Sequence, residues 1–327
     1  MGYGRYPTPE SLSLESSQRV NSGVYPGWPS DALLVRRYKE NYIVSVAQML
    51  LEIAMARREK PAVIKGESIV DYAELASRSL AMAEVLAQVG VKPDDRVAIL
   101  FPRGAEAASA FFGTVAVGAI AINVNESLRW RQIEHILKHS SARVLLTSRE
   151  KLDRLSKPMH IDTPVVGTDK IPWSGTFRPL RRIGDDVAQI VYTSGSTGLP
   201  KGVVLSHANL WAGMQAVVDY LGITENDRVA SLLPFSFDYG FNQLLCCVAT
   251  GATLVVEASP IPRRILETLR LQLITVLPAA PPLWLLASRR SCAFLEDWTA
   301  PALPCWSEST SATSWRWAST SRDQTAE

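Results

Sequence analysis

The stretch Tyr192-Thr193-Ser194-Gly195-Ser196-Thr197-Gly198-Leu199-Pro200-Lys201-Gly202 concentrates the residue types in this sequence that could do chemistry. Gly195 and Gly198 let the backbone turn its N–H groups toward an anion with no Cβ in the way. The hydroxyls of Thr193, Ser194, Ser196 and Thr197 add donors, and Lys201 adds a mobile positive charge. Such a loop suits a polyphosphate. It is not the Walker arrangement, which needs glycine immediately before the lysine and Ser or Thr after it, because Lys201 stands between Pro200 and Gly202. Nor does it hold the G-x-S-x-G elbow of hydrolases. A plain Ser/Gly/Thr linker would not lie between two apolar runs and end in Pro-Lys-Gly.

A second candidate is Leu233-Pro234-Phe235-Ser236-Phe237-Asp238-Tyr239-Gly240, at the C-terminal end of a predicted strand, where open α/β sheets place ligands. Asp238 has two readings there. A buried carboxylate is costly unless paired, so it could hold a substrate cation; equally, it could cap the following helix. The histidines offer less. His135 and His139 are four apart on one helix face, but no glutamate of an H-E-x-x-H pattern lies between them and no third ligand is evident. They are read as solvated or helix-end residues, His160 carries no signal, and no metal site is expected. Cys246 and Cys247 are adjacent while Cys292 and Cys305 are isolated, which gives neither a disulfide framework nor a C-x-x-C spacing.

Strands alternating with helices must position these residues. The periodicity predicts helices over 45–58, 71–90, 105–117, 128–139, 207–221, 241–249 and 262–271. Strands are predicted over 62–70 (two, around Gly66), 96–100, 119–123, 143–147, 187–192, 202–205, 229–233, 253–256 and 273–277. This alternation means right-handed crossovers and an α/β fold of two doubly wound, mostly parallel sheets. Four regions are expected: a loose extension over 1–40, an α/β subdomain over 41–180, a second over 181–287 carrying the Gly/Ser/Thr loop, and an atypical tail over 288–327. The Pro-, Thr- and Gly-rich stretch 158–183 reads as the connection between the two sheets.

Composition narrows the function. The chain has 327 residues, 47% hydrophobic and 20% charged, with a net charge of +2, so it can bury a sizeable core and carries no basic footprint for nucleic acid. The longest apolar stretch, 105–124, is broken by Glu106, Gly113 and Gly118, which leaves no integral membrane segment. With no secretory pattern before Asn41, the expected compartment is the cytoplasm.

With Ile190-Val191 before it and Val203-Val204-Leu205-Ser206-His207-Ala208-Asn209-Leu210 after it, the loop resembles the phosphate-binding motif of the adenylate-forming ligases. That superfamily comprises acyl-CoA synthetases, adenylation domains of nonribosomal peptide synthetases, and luciferases. The resemblance runs from about Tyr42 to Leu286, through Asp71-Tyr72-Ala73-Glu74-Leu75, Asp95-Arg96-Val97-Ala98-Ile99 and Gly118-Ala119-Ile120-Ala121-Ile122-Asn123. It implies the N-terminal, large-domain portion of such a ligase, joining a carboxylate to AMP with ATP and Mg²⁺. The acyl group would then pass to CoA or to the phosphopantetheine arm of an acyl carrier protein.

By the same resemblance, Thr193, Ser194, Gly195, Ser196, Thr197, Gly198 and Lys201 contact the phosphates, with Lys201 and Thr197 acting on the departing pyrophosphate. Phe237 stands where the family has an aromatic or His gate to the acyl pocket. Phe237-Asp238 matches the Phe-Asp of amino-acid-activating members, and Gly240 opens the next helix. Substrate is therefore a small carboxylic or amino acid, and His207 matches a histidine common after the loop, here assigned to packing. The family's Tyr-Gly-x-Thr-Glu segment, its Thr-Gly-Asp and the C-terminal lid domain with its catalytic lysine have no counterpart in the sequence. From Ser288 the apolar period vanishes, and the tail is expected to have no stable fold and to reflect a shifted reading frame. This chain is then expected to be incomplete and inactive alone; the alternative is a non-catalytic remnant, or a module that binds a nucleotide or partner.

Overall fold

A computed structural model describes residues 45–148, 150, 151, 153, 163–167, 174–193, 200–278 and 314–316, all within one compact unit spanning 34–327. Helix α1 (Val46–Ala56) is capped by Ser45, and the residues predicted to face inward, Val46, Met49, Leu50 and Ile53, are buried. Strands β1 (Pro61–Lys65) and β2 (Ser68–Asp71) pair antiparallel about Gly66, whose φ of +59° needs glycine. Asp71 then opens α2 (Tyr72–Gln88), its Oδ1 accepting from the Glu74 N–H at 2.7 Å, and Gly90 follows the helix end at φ +83°.

Strand β3 (Arg96–Leu100), α3 (Ala105–Ala116), β4 (Ile120–Asn123), α4 (Trp130–His139), β5 (Val144–Thr147), β6 (Val165–Gly167), β7 (Val187–Thr193) and β8 (Lys201–Ser206) come next. After them lie α5 (His207–Leu221), β9 (Arg228–Ser231), α6 (Asp238–Thr250), β10 (Thr253–Val256), α7 (Pro262–Leu271), β11 (Val276–Pro278) and β12 (Ser314–Arg316).

The strands form two sheets, β6-β5-β3-β4-β7-β8 and β12-β11-β9-β10-β1-β2. Interior pairings are parallel, and among the described residues the antiparallel pairs lie at sheet edges, β7 with β8, β2 with β1 and β12 with β11. Parallel strands are covered on both faces, which is why β4, β5 and β10 are mostly apolar and buried along their whole length. Helices α1, α2, α3 and α6 fill one hydrophobic core. Phe111 is fully buried there, edge-on to Phe112 at 5.4 Å and to Phe241 at 4.4 Å. A Cβ on Gly113 would lie 2.6 Å from Met82 Cβ and 2.7 Å from the Ser79 carbonyl, so α2 and α3 touch nearly backbone to backbone. Tyr72 ties α2 to the end of α6, its buried hydroxyl lying 2.7 Å from the Cys247 carbonyl and 2.6 Å from that of Ala252.

The sheets do not divide the chain at residue 180. The β1–β2 hairpin joins the sheet of β9, β10 and β11, and β7–β8 completes the sheet of β3 to β6. Periodicity locates a strand but carries no information about which strand it pairs with. For the same reason 158–183 is not an inter-sheet connection: it contains β6, a partner of β5, and leads back into the same sheet. Three other expectations need correction. Helix α6 begins at Asp238, three residues before Phe241. Strand β11 starts at Val276, because Leu273 takes a left-handed φ of +49° after α7 and is exposed. Within the tail, the backbone of 314–316 pairs antiparallel with β11, Leu277 opposite Trp315, so this part has regular structure.

Candidate functional site

The Gly/Ser/Thr loop is carried by the β7–β8 hairpin. Its ladder runs from Val187 opposite Ser206 to Thr193 opposite Lys201, which form the last described rung of the stem. Both are exposed. Ser194, Gly195, Ser196, Thr197 and Gly198 lie outside the described residues. β7 runs parallel to β4, Ala121 beside Gln189, so the stem opens at the C-terminal edge of the sheet, the edge where such folds bind ligands.

Tyr192 faces Gly202 across the hairpin, and a Cβ on Gly202 would come within 3.4 Å of the tyrosine ring. The phenol reaches instead to α4, where its Oη lies 2.8 Å from His139 Nδ1, and partial burial pushes its pKa up, with Ser140 opposing. His135, one turn earlier, donates from Nε2 to the Pro200 carbonyl at 3.4 Å. The two histidines are solvated or helix-end residues as expected, His139 being the exposed last residue of α4, and both are also structural neighbours of the loop's described ends. The i, i+4 spacing was the available signal; the partner was not. Among the described residues no group of His, Cys, Asp or Glu is arranged to hold a metal ion.

His207, the first residue of α5, is buried, and its Nδ1 accepts from the Val46 N–H at 3.3 Å, one of the donors α1 leaves unpaired at its N-terminus. Burial, helped by Arg182 and opposed by Asp186, pushes its pKa down to about 4. It is a neutral packing residue, as expected. Cys246 and Cys247 are buried free thiols whose pKa values burial raises, Cys246 to about 12. His160, Cys292 and Cys305 lie outside the described residues.

At the second candidate, Phe237 is half-exposed and stands as N-cap of α6. Asp238 is exposed, in the first turn, its Oδ1 accepting from the Tyr239 N–H at 2.7 Å. The burial cost invoked for this carboxylate therefore does not arise here, and a negative charge in a first turn is favoured by the helix dipole. Gly240 is buried, and a Cβ there would sit on the Pro234 carbonyl oxygen, so it lets the chain turn tightly into α6.

Sequence reasoning missed a third group. A cleft is lined by Phe101 and Arg103 beyond β3, Asn123 and Glu126 at the end of β4, and Phe235 and Ser236 beyond β9, so the two sheets meet at their C-terminal edges. Arg103 donates from Nη2 to the Glu257 carbonyl at 2.7 Å, and burial lowers its pKa against the opposing charges of Glu126 and Glu257. Arg103 Nε, Asn123 Nδ2 and Ser236 Oγ are buried and find no hydrogen-bond partner among the described residues. The run Asn123-Val124-Asn125-Glu126, leaving the end of a strand, was the signal that could have found it.

This architecture is shared with solved structures. The N-terminal subdomain of Klebsiella oxytoca NpsA, solved in complex with 3-hydroxybenzoyl-AMSN, superposes with a TM-score of 0.69 at 25% identity, covering 77% of this chain and 64% of that one. The N-terminal domain of FACL13 from Mycobacterium tuberculosis shares the fold at 21% identity, with a TM-score of 0.68 over 76% of this chain and 66% of that one. Among curated relatives, Delta-poly-L-ornithine synthetase of Acinetobacter baumannii is 30% identical over 241 residues, 73% of this chain and 18% of its own length. Tyrocidine synthase 2 of Brevibacillus parabrevis is 31% identical over 247 residues, 72% of this chain and 7% of that protein. The chain thus spans well under half the length of these curated relatives. Its likeness to known sequence also extends past Leu286, where the resemblance read from sequence stopped. With residues 50–318 matching the AMP-binding enzyme family, the chain belongs to that family.

Proposed function

We propose that this chain is the N-terminal part of a ligase that forms adenylates: a carboxylate oxygen attacks the α-phosphorus of ATP, the bond to the bridging oxygen breaks, and pyrophosphate leaves. The observation that carries this reading is the β7–β8 stem, which opens the Gly/Ser/Thr loop at the C-terminal edge of a parallel sheet within a chain of the AMP-binding family. Negative charge builds on the β- and γ-phosphates as the bond breaks. Backbone N–H groups of the loop, the hydroxyls of Thr193, Ser194, Ser196 and Thr197, and the Lys201 ammonium would stabilise that charge more than the ground state. Exposed Thr193 and Lys201 on the last rung are free to reach a triphosphate, which fits the group. Mg²⁺, when bound with ATP, would neutralise phosphate charge.

The substrate is a small carboxylic or amino acid, with Phe237 beside the acyl group and Gly240 shaping the turn behind it. Exposed Asp238 can pair with a substrate ammonium only if ligand or further chain covers it. The activated acyl group would pass to a thiol of CoA or of a carrier protein's phosphopantetheine arm. A cytoplasmic setting agrees with the free thiols of Cys246 and Cys247 and the demand for ATP; no described helix is long and apolar enough to cross a membrane. The test is ATP–pyrophosphate exchange against paired amino and desamino acids, run on this chain and on a full-length version. Carboxylate-dependent exchange that Lys201→Ala with Thr197→Ala abolishes would support the reading. Exchange indifferent to that double change would overturn the loop's role. ATP binding with no exchange under any acid would put this chain in the alternative class, a nucleotide- or partner-binding module without turnover.

A further inference from the structure

Helix α4 meets the hairpin at two points, one on each side of residues 194–199. On the incoming side is the 2.8 Å contact between His139 Nδ1 and Tyr192 Oη, with the rings edge to face at 5.7 Å. On the outgoing side is the bond from His135 Nε2 to the Pro200 carbonyl. The two imidazoles are 5.4 Å apart on one helix face. Among the described residues, Thr193 opposite Lys201 is the rung of the ladder nearest residues 194–199. Pro200 has no N–H to offer, which makes its carbonyl the backbone group by which the outgoing end can be held. Gly202, opposite Tyr192, leaves the phenol without a cross-strand side chain and frees it to reach α4.

These contacts lie at a sheet edge, and His139 is exposed. Hydrogen bonds open to water add little to global stability, so their effect falls on the local freedom of the segment they bracket. We propose that His135 and His139 are positioning residues that hold both ends of the phosphate-binding loop, His139 through Tyr192 and His135 through the Pro200 carbonyl. The inference rests on reading that loop as an anion cradle. Fixing Tyr192 and Pro200 in advance reduces the conformational entropy that binding an anion between them would cost.

The test uses the full chain, with amide exchange of a peptide covering 193–202 and titration with inorganic tripolyphosphate. Replacing both histidines by alanine, which suits a helix interior, should speed exchange in that peptide and weaken tripolyphosphate binding, each roughly three- to tenfold. Exchange in the β3 peptide should not change. Tyr192→Phe and His139→Ala should each loosen the loop, and the pair together no more than either alone, because both remove one contact. His139→Gln, which keeps a hydrogen-bonding group, should recover most of the loss. Unchanged loop exchange, additive effects of Tyr192→Phe and His139→Ala, or equal acceleration in β3 would overturn the proposal. If the variants loosen the loop but the unaltered protein does not bind tripolyphosphate, the clamp stands and the anion-cradle reading falls.

Discussion

The α2–α3–α6 core and the β7–β8 hairpin are built on opposite terms. In the core, Phe111, Phe112, Phe241 and Tyr72 are buried, and Gly113 brings two helices to backbone contact. In the hairpin, Val203 and Val204 are 47% and 57% exposed, Lys201 and Thr193 stand in solvent, and one strand forms the sheet edge. Apolar burial concentrates in the first region, while the residues that could meet an anion lie in the second. The difference teaches that stability and chemistry are separable here: the core should respond to substitution in melting, the hairpin in ligand binding.

The sharpest way to break that separation is at Phe111. Phe111→Ala should cost about 3–5 kcal/mol in urea denaturation, since it removes a ring that packs edge-on to two others. A loss under about 1 kcal/mol would mean the core is not packed as described.

His207 offers a graded test between the regions, because it follows β8 directly and yet receives the first N–H of α1. Its folded pKa, about 4, lies below the ordinary 6.5. Below pH 6.5 the unfolded chain takes up a proton that the folded chain does not, so acid favours unfolding. The contribution is fully present above pH 6.5 and is lost as pH falls toward 4, on the order of 2–3 kcal/mol. His207→Gln should flatten the stability profile in that window. A wild-type profile equally flat between pH 6.5 and 4 would remove the buried, neutral histidine from the account.

At the small end, Val204→Thr on the exposed edge of β8 should shift stability by no more than about 0.5 kcal/mol. A thermal melt displaced by much more would show that the hairpin is part of the core.

Much of this contrast was legible in the sequence where local chemistry decides. Asp71 with Glu74 and Gly90 marked α2, Ser206 marked the start of α5, and Pro262 the start of α7. Each is a cap or breaker acting on its own neighbours. Pairing over distance was not legible: β1–β2 crosses to the later sheet, β6 is three residues with no period to read, and β12 pairs from within the tail. The site divided the same way. The loop's composition announced an anion, but that His139 would meet Tyr192, or that Arg103, Asn123 and Ser236 would share one cleft, depends on contacts that only the folded sheet creates. The exposure of Asp238 was missed because a Phe-Asp pair carries no sign of its depth.

The central claim, that the loop between β7 and β8 binds a triphosphate through groups that do not hold the fold together, is tested most directly by calorimetric titration of ATP into the chain and into Lys201→Ala, with a melting curve for each. Losing a charge-assisted contact of about 1.5–3 kcal/mol should weaken ATP binding tenfold or more while the melting temperature stays the same. Equal affinities for ATP, or a Lys201→Ala protein that melts early, would contradict it.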